Sequence, residues 1–102
     1  MPNQLLNTTN KYQLVMTSAF KSDIKLIKKQ HKDLALLNAV VTTLLKGETL
    51  DEKYKDHPLI GNWKGFRECH IAPDWLLIYL KNETELVLTL TRTGSHSNLL
   101  KK

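Results

Sequence analysis

The longest strongly apolar stretch of the chain is Trp75-Leu76-Leu77-Ile78-Tyr79-Leu80. It is too short to cross a bilayer as a helix. An unbroken apolar run of this length, bounded by turn residues, reads as a central strand. Its neighbours, 65–71 (GFRECHI) and 85–91 (ELVLTLT), alternate apolar and polar, with Leu86, Leu88 and Leu90 on one face. The segments between them, Ala72-Pro73-Asp74 and Lys81-Asn82-Glu83-Thr84, are short turns. Short turns join antiparallel neighbours, so three consecutive antiparallel strands are expected.

Upstream the pattern changes. Residues 11–17 (KYQLVMT) read as a strand with Tyr12, Leu14 and Met16 on one face. Ser18 is placed to cap a helix over 19–30. Asp33 can cap a second helix over 34–46 that ends before Gly47. That helix carries Leu34, Leu37, Val41 and Leu44 on one face, widened by Leu36, Val40 and Leu45. The break at 31–33 makes the pair an antiparallel helical hairpin. Residues 48–64 read as a long connection, and Thr93 to Lys102 as a tail closing with one helical turn. The expected fold is α+β: an antiparallel sheet packed against an N-terminal helical hairpin, in the order β-α-α-β-β-β. The length suits one domain, 11–102, preceded by a flexible arm, 1–10. A single cysteine, Cys69, excludes an intrachain disulfide framework and suits a reducing cytoplasm. Met1 to Asn10 lacks the pattern of a secretory signal.

The formal net charge is +5. Residues 1–50 hold seven lysines against three acids, whereas 51–102 hold eight basic residues against seven acidic ones. The excess is ordered: Lys21, Lys25, Lys28 and Lys32 recur at helical spacing beside an apolar stripe of Phe20, Ile24 and Ile27. Such a face is either a solvated surface or a phosphate-facing one.

Three of the four histidines, His57, His70 and His96, fall at element edges in the second half. Asp74 follows His70 across the Pro73 turn, and Arg92 ends the last strand. Antiparallel pairing can bring such edges to one rim. Imidazoles exchange protons near neutral pH, and an arginine can hold a phosphate. This set can cleave RNA without a metal, because the 2′-OH is the substrate's own nucleophile. The same residue types ligate zinc, but the spacing of His57, His70, Asp74 and His96 matches no compact zinc motif. Histidines that merely bond to backbone or face solvent are the plain structural alternative. Trp63, Phe66 and Trp75 flank Lys64, Arg67 and His70; aromatics beside cations suit base stacking if exposed and core packing if buried.

Taken jointly, Tyr54-Lys55-Asp56-His57-Pro58-Leu59, Gly61, Trp63-Lys64-Gly65, Arg67, His70, Pro73-Asp74-Trp75, Leu77-Ile78-Tyr79 and Arg92-Thr93-Gly94-Ser95-His96 resemble the YafQ branch of the RelE/ParE toxin superfamily. The resemblance spans about residues 11–100 and is densest over 54–96. It implies a type II toxin that enters the ribosomal A site and cuts mRNA, with no metal cofactor, and that is held by a cognate antitoxin in the cytoplasm. It implies catalytic roles for His57, His70, Asp74, Arg92 and His96. It implies substrate contacts at Trp75 and at the C-terminal aromatic position, where this chain has Leu100; Lys64 and Arg67, beside the aromatics, join them as candidate substrate contacts on their own chemistry. Beside it, Lys21, Lys25, Lys28 and Lys32 become candidates for docking on ribosomal RNA. Two other readings are a non-nuclease toxin of the same fold, of the gyrase-inhibiting kind, and a basic nucleic-acid-binding module.

Overall fold

The structure is a computed structural model, and it describes residues 10–99. The expected arm over 1–10, save Asn10, and Leu100 lie outside the described residues. The elements are β1 (Gln13–Met16), α1 (Ser18–Lys29), α2 (Leu34–Leu45), β2 (His57–Pro58), β3 (Arg67–Ala72), β4 (Trp75–Asn82), β5 (Val87–Gly94) and α3 (His96–Leu99). Short 3₁₀ turns occupy Glu52–Tyr54 and Gly61–Trp63.

The cap of α1 is Thr17 rather than Ser18: its Oγ1 accepts the Phe20 N–H at 3.0 Å and donates to the Thr91 carbonyl at 2.7 Å. The hydroxyl that reaches β5 wins, because it satisfies the helix start and ties it to the sheet at once. Asp33 caps α2 as expected, accepting the Ala35 N–H at 3.0 Å. Leu37, Val40, Val41 and Leu44 are buried, whereas Leu36 faces solvent. Gly47 follows at φ +81°, a conformation that side chains resist.

The sheet has five strands in the order β1-β5-β4-β3-β2. β2–β3, β3–β4 and β4–β5 pair antiparallel, but β1 pairs parallel with β5, so the sheet is mixed. Turn length predicted direction only for strands joined by turns; the chain between β1 and β5 is long enough for either. β1 is an edge strand with all four residues exposed, so of the expected face only Tyr12, just before it, is buried. β2 is also new: two residues, one of them proline, carry no periodic signal, and proline is confined to sheet edges.

β4 divides two hydrophobic clusters. Trp75, Leu77 and Tyr79 face the helices with Phe20, Ile27, Leu37, Val40, Leu44, Leu88 and Leu90. Leu76 and Ile78 face the other way, under Leu99, Leu59, Trp63 and Phe66. Trp63 and Phe66 meet edge to face at 5.4 Å, so neither is an open stacking platform.

Cys69 is fully buried on the helical side. Burial, reinforced by Asp56 and Glu68, pushes its thiol up to about 12. Only a thiolate reacts readily, so the folded chain is expected to leave Ellman's reagent unreacted at mildly alkaline pH and to react fully in denaturant. A fast native reaction would contradict the packing. Its stabilising share is present below the unfolded thiol's pKa and is lost as pH rises toward about 12.

Candidate active site

The candidate residues gather on the face of the sheet opposite α1 and α2. Cross-strand partners share a face. His57 pairs with Glu68, Glu68 with Ile78, and Ile78 with Arg92, so these four lie in one row across β2, β3, β4 and β5. The next row holds His70, Leu76 and Gly94. Arg92 reaches this face because of a β-bulge: Ile78 pairs with Arg92 but Tyr79 with Leu90, leaving Thr91 as the extra residue. Without it, strict alternation would turn Arg92 to the side of Leu90, under the helices.

Contacts then run in a string. His57 Nε2 lies 3.0 Å from Glu68 Oε1, and His70 Nε2 lies 3.9 Å from the same oxygen. The His70 and His96 rings are 5.8 Å apart between centroids, inclined at 61°. His96 Nδ1 is 3.6 Å from Asp74 Oδ1, which also accepts the His96 backbone N–H at 3.3 Å. The structure thus seats Asp74 beside His96 rather than beside His57 or His70. Asp74 and His96 are open to solvent, with side chains 72% and 52% exposed. Glu68 is the reverse, its side chain 5% exposed and its Oε2 without a partner among the described residues.

His57 Nδ1 lies 3.1 Å from the Pro58 carbonyl oxygen and Nε2 lies 3.0 Å from Glu68 Oε1, so each ring nitrogen faces an acceptor.

Sequence reading missed Glu68, although the signal was there: it stands two residues before His70 on one strand, so it shares that face. No sequence signal marked Asp23. Its carboxylate grips Arg92 from α1, accepting Nε at 2.7 Å and Nη2 at 3.0 Å, and it also accepts the Thr93 N–H. Hydrogen bonding to Asp23 raises the Arg92 pKa above its ordinary value, against the opposing effect of burial. The pair uses Nε and Nη2 and leaves the Nη1 end of the fork outside it.

Other expected contacts are placed elsewhere. Trp75 is 2% exposed in the helical-side core, with Nε1 donating to Thr93 Oγ1 at 2.9 Å, so it offers no face to a base. Arg67 pairs across from Tyr79 on the helical side and binds Asp56 through Nε and Nη2. Burial works against its charge, but the bond and attraction to Asp56 outweigh it and raise the pKa. Asp56 also accepts the Tyr79 hydroxyl at 2.7 Å, which together with burial pushes that phenol up. Arg67 is thus a structural cation, not one turned to the histidines. Lys64 is exposed in the loop before β3. Lys21, Lys25 and Lys28 are exposed on α1, but Lys32 lies past its end, with Nζ 6.0 Å from the Trp75 ring centroid.

As for metals, the fold does not bring together the set His57, His70, Asp74 and His96. It brings His57, Glu68 and His70 to within 4.8 Å of one another through their ligand atoms.

The family described as "Bacterial toxin of type II toxin-antitoxin system, YafQ" matches residues 12–101. This chain belongs to the YafQ toxin family. It is 44% identical over 81 residues to the mRNA interferase toxin YafQ of Escherichia coli K12, covering 78% of this chain and 86% of that protein. Its fold matches the toxin in the E. coli DinJ-YafQ toxin–antitoxin complex with a TM-score of 0.81 at 38% identity, over 88% of this chain and 98% of that one. It also matches a metal-bound toxin from Helicobacter pylori, with a TM-score of 0.82 at 45% identity, over 87% of this chain and 99% of that one. The α+β architecture inferred from the sequence is thus that of the YafQ toxins; the parallel pairing of β1 and the short added strand β2 are what the inference lacked.

Proposed function

We propose that this chain is an endoribonuclease of the mRNA interferase kind, which cuts mRNA in the ribosomal A site by metal-independent acid–base chemistry. What carries the reading is the string of proton-exchanging groups on one sheet face, His57, Glu68, His70, His96 and Asp74, with Arg92 turned to the same face by the bulge. YafQ relatives named mRNA interferases support it.

In this mechanism His70 takes the 2′-OH proton, and Glu68 behind it stabilises the imidazolium that forms. The 2′-oxygen attacks phosphorus. His96, its charge supported by Asp74, protonates the departing 5′-oxygen, leaving a 2′,3′-cyclic phosphate and a free 5′-OH. Charge on the phosphoryl oxygens meets the free end of Arg92, beside the half-exposed ring of His57. Asp23 acts through Arg92 and is a positioning residue.

A protein working on the ribosome must dock on phosphates, and the exposed lysines of α1 supply the attraction. Cytoplasmic ribosomes and mRNA are then its partners, and a cognate antitoxin its inhibitor, as DinJ pairs with YafQ. Charge reversal at Lys21 and Lys25 is expected to weaken ribosome association steeply and to flatten its salt dependence, while the unfolding midpoint moves little because both side chains are exposed. Unchanged ribosome pelleting would remove α1 from the docking surface. The test of the activity is primer extension on one defined mRNA, free and in programmed ribosomes. Codon-phased stops only with ribosomes are expected. Equal cutting of free mRNA would sink the ribosome dependence, and no cutting of either would leave a non-nuclease toxin or a plain binding module.

A further inference from the structure

We propose that the cleft between α2, the 3₁₀ turn Glu52–Tyr54 and the end of β3 is the subsite for the RNA nucleotide on the 5′ side of the cut. Its base enters the cleft and its backbone phosphate lies at Lys53 and Lys55. Which nucleotide enters rests on the nuclease reading above; binding of single-stranded RNA there does not.

The cleft exists because β2 is short. Its two residues pair only with Arg67 and Glu68. Beyond them, among the described residues, the neighbour of β3 is the 3₁₀ turn rather than a strand. The gap measures about 580 Å³, within the range of roughly 300–1,000 Å³ usual for ligand sites. Leu36, Ala39, Ala72 and Pro73 form apolar walls, with Tyr54 half-buried beside them. Leu36 is the residue of α2 expected in the core that the structure leaves half exposed. Apolar and aromatic walls suit the flat face of a base.

The mouth is basic. Lys53 and Lys55 are exposed there, and no carboxylate among the described residues lines the cleft. Asp51, on the same turn, is engaged in capping the Lys53 N–H at 2.9 Å. Lys53 Nζ stands 5.2 Å from the centroid of the Tyr54 ring, which holds the charge beside the opening. A second cleft, of about 410 Å³, sets Glu48, Asp56 and Glu83 against Arg67 and Lys81, so it offers a polyanion no such attraction.

Lys55 adds an independent observation. It ends the 3₁₀ turn at φ +51°, the left-handed conformation that favours glycine or asparagine. The chain keeps a long cationic side chain where the backbone is easier without one, and strain of this kind collects at ligand-binding positions. His70 sets the direction, because it lines the cleft whereas His96 does not. In the mechanism above His70 faces the 2′-OH and His96 the departing 5′-oxygen. The nucleotide that keeps the 2′-oxygen, the one 5′ of the cut, is therefore on the cleft side.

The test follows the backbone amides of the isotope-labelled chain by NMR during titration with a 2′-O-methyl RNA hexanucleotide of mixed sequence, which has no nucleophile and stays whole. Expected are saturable shifts at Ala39, Tyr54 and Ala72. Lys55→Gly should bind at least fivefold more weakly, with a salt slope shallower by about one. Glycine suits the backbone at this position, so its melting midpoint should hold. Leu36→Glu, an exposed change on another element, should weaken binding likewise. Shifts that spare these amides, or binding indifferent to both variants, overturn the subsite. Equal shifts with a glutamate-rich peptide would make the cleft a protein-docking site and overturn the RNA assignment. In programmed ribosomes Lys55→Gly should raise the half-saturating chain concentration at least fivefold while the maximal rate holds. An abasic nucleotide 5′ of the cut should do the same to the native chain. Normal cutting of the abasic message overturns the placement of the 5′ base. If the native chain cuts nothing while the amides still shift, the nuclease reading falls and the RNA site stands.

Discussion

His96→Ala is expected to lower codon-phased cleavage by about 10²–10⁴-fold, the range for removing one proton-transfer group. The fold should stand. The His96 side chain is half exposed, and α3 is anchored by Leu99, which packs on Gly94 and into the cluster of Leu76 and Ile78. The bond from the His96 N–H to Asp74 is made by backbone and survives the substitution. Exposed substitutions of this kind change stability within about 0.5 kcal/mol, a shift of no more than about 4 °C in Tm for a domain this small. Primer extension and thermal melting of the same preparation check both halves. A folded His96→Ala chain that cuts at the native rate would remove His96 from the mechanism. Asp74→Asn should cost less than His96→Ala, because Asp74 acts on the ring and is itself open to water.

Trp75→Ala is expected to destabilise the chain by about 3–5 kcal/mol. The indole is one of the largest fully buried side chains, and its N–H is satisfied inside the core by Thr93. That loss is a large part of the roughly 5–15 kcal/mol by which small domains are stable. Activity should fall because the chain unfolds, and urea titration should show the midpoint moving accordingly. Trp75→Phe keeps much of the packing but gives up the N–H bond, so it should recover much of the stability and the cleavage together. If Trp75→Ala melts at the native midpoint and still fails to cut, the ring works on substrate after all and the packing argument is wrong.

These two residues also show where reading the chain by itself succeeded and where it stopped. His57, His70 and His96 were legible as candidates because the sequence placed each near an element edge; His57 opens β2 and His96 opens α3, whereas His70 lies inside β3, and the three still fall along one string of contacts. Trp75 opens the apolar run that forms β4, but a central strand sends alternate residues to opposite faces, and the sequence did not say which face the helices would cover. The same ambiguity made Arg67 look like a neighbour of His70. Position along β3 places them three residues apart and therefore on opposite faces. Asp23 and Asp56 were invisible as partners because their cations lie 69 and 11 residues away, and ion pairs leave no periodic trace.

Local chemistry in the sequence determined the elements: the apolar run of β4, the alternation of its neighbours, the cap at Asp33 and the glycine after α2 each act over a few residues. It also determined the family, through motifs spread from Tyr54 to His96. Tertiary structure decided the rest. The parallel pairing of β1 with β5 joins the two ends of the described chain, and nothing local selects it. The one-residue bulge at Thr91 reverses the face of Arg92, and pairing across strands, not spacing along one, sets Glu68 against His57. A side chain's face depends on register, and register is settled only when the whole sheet buries its apolar residues together.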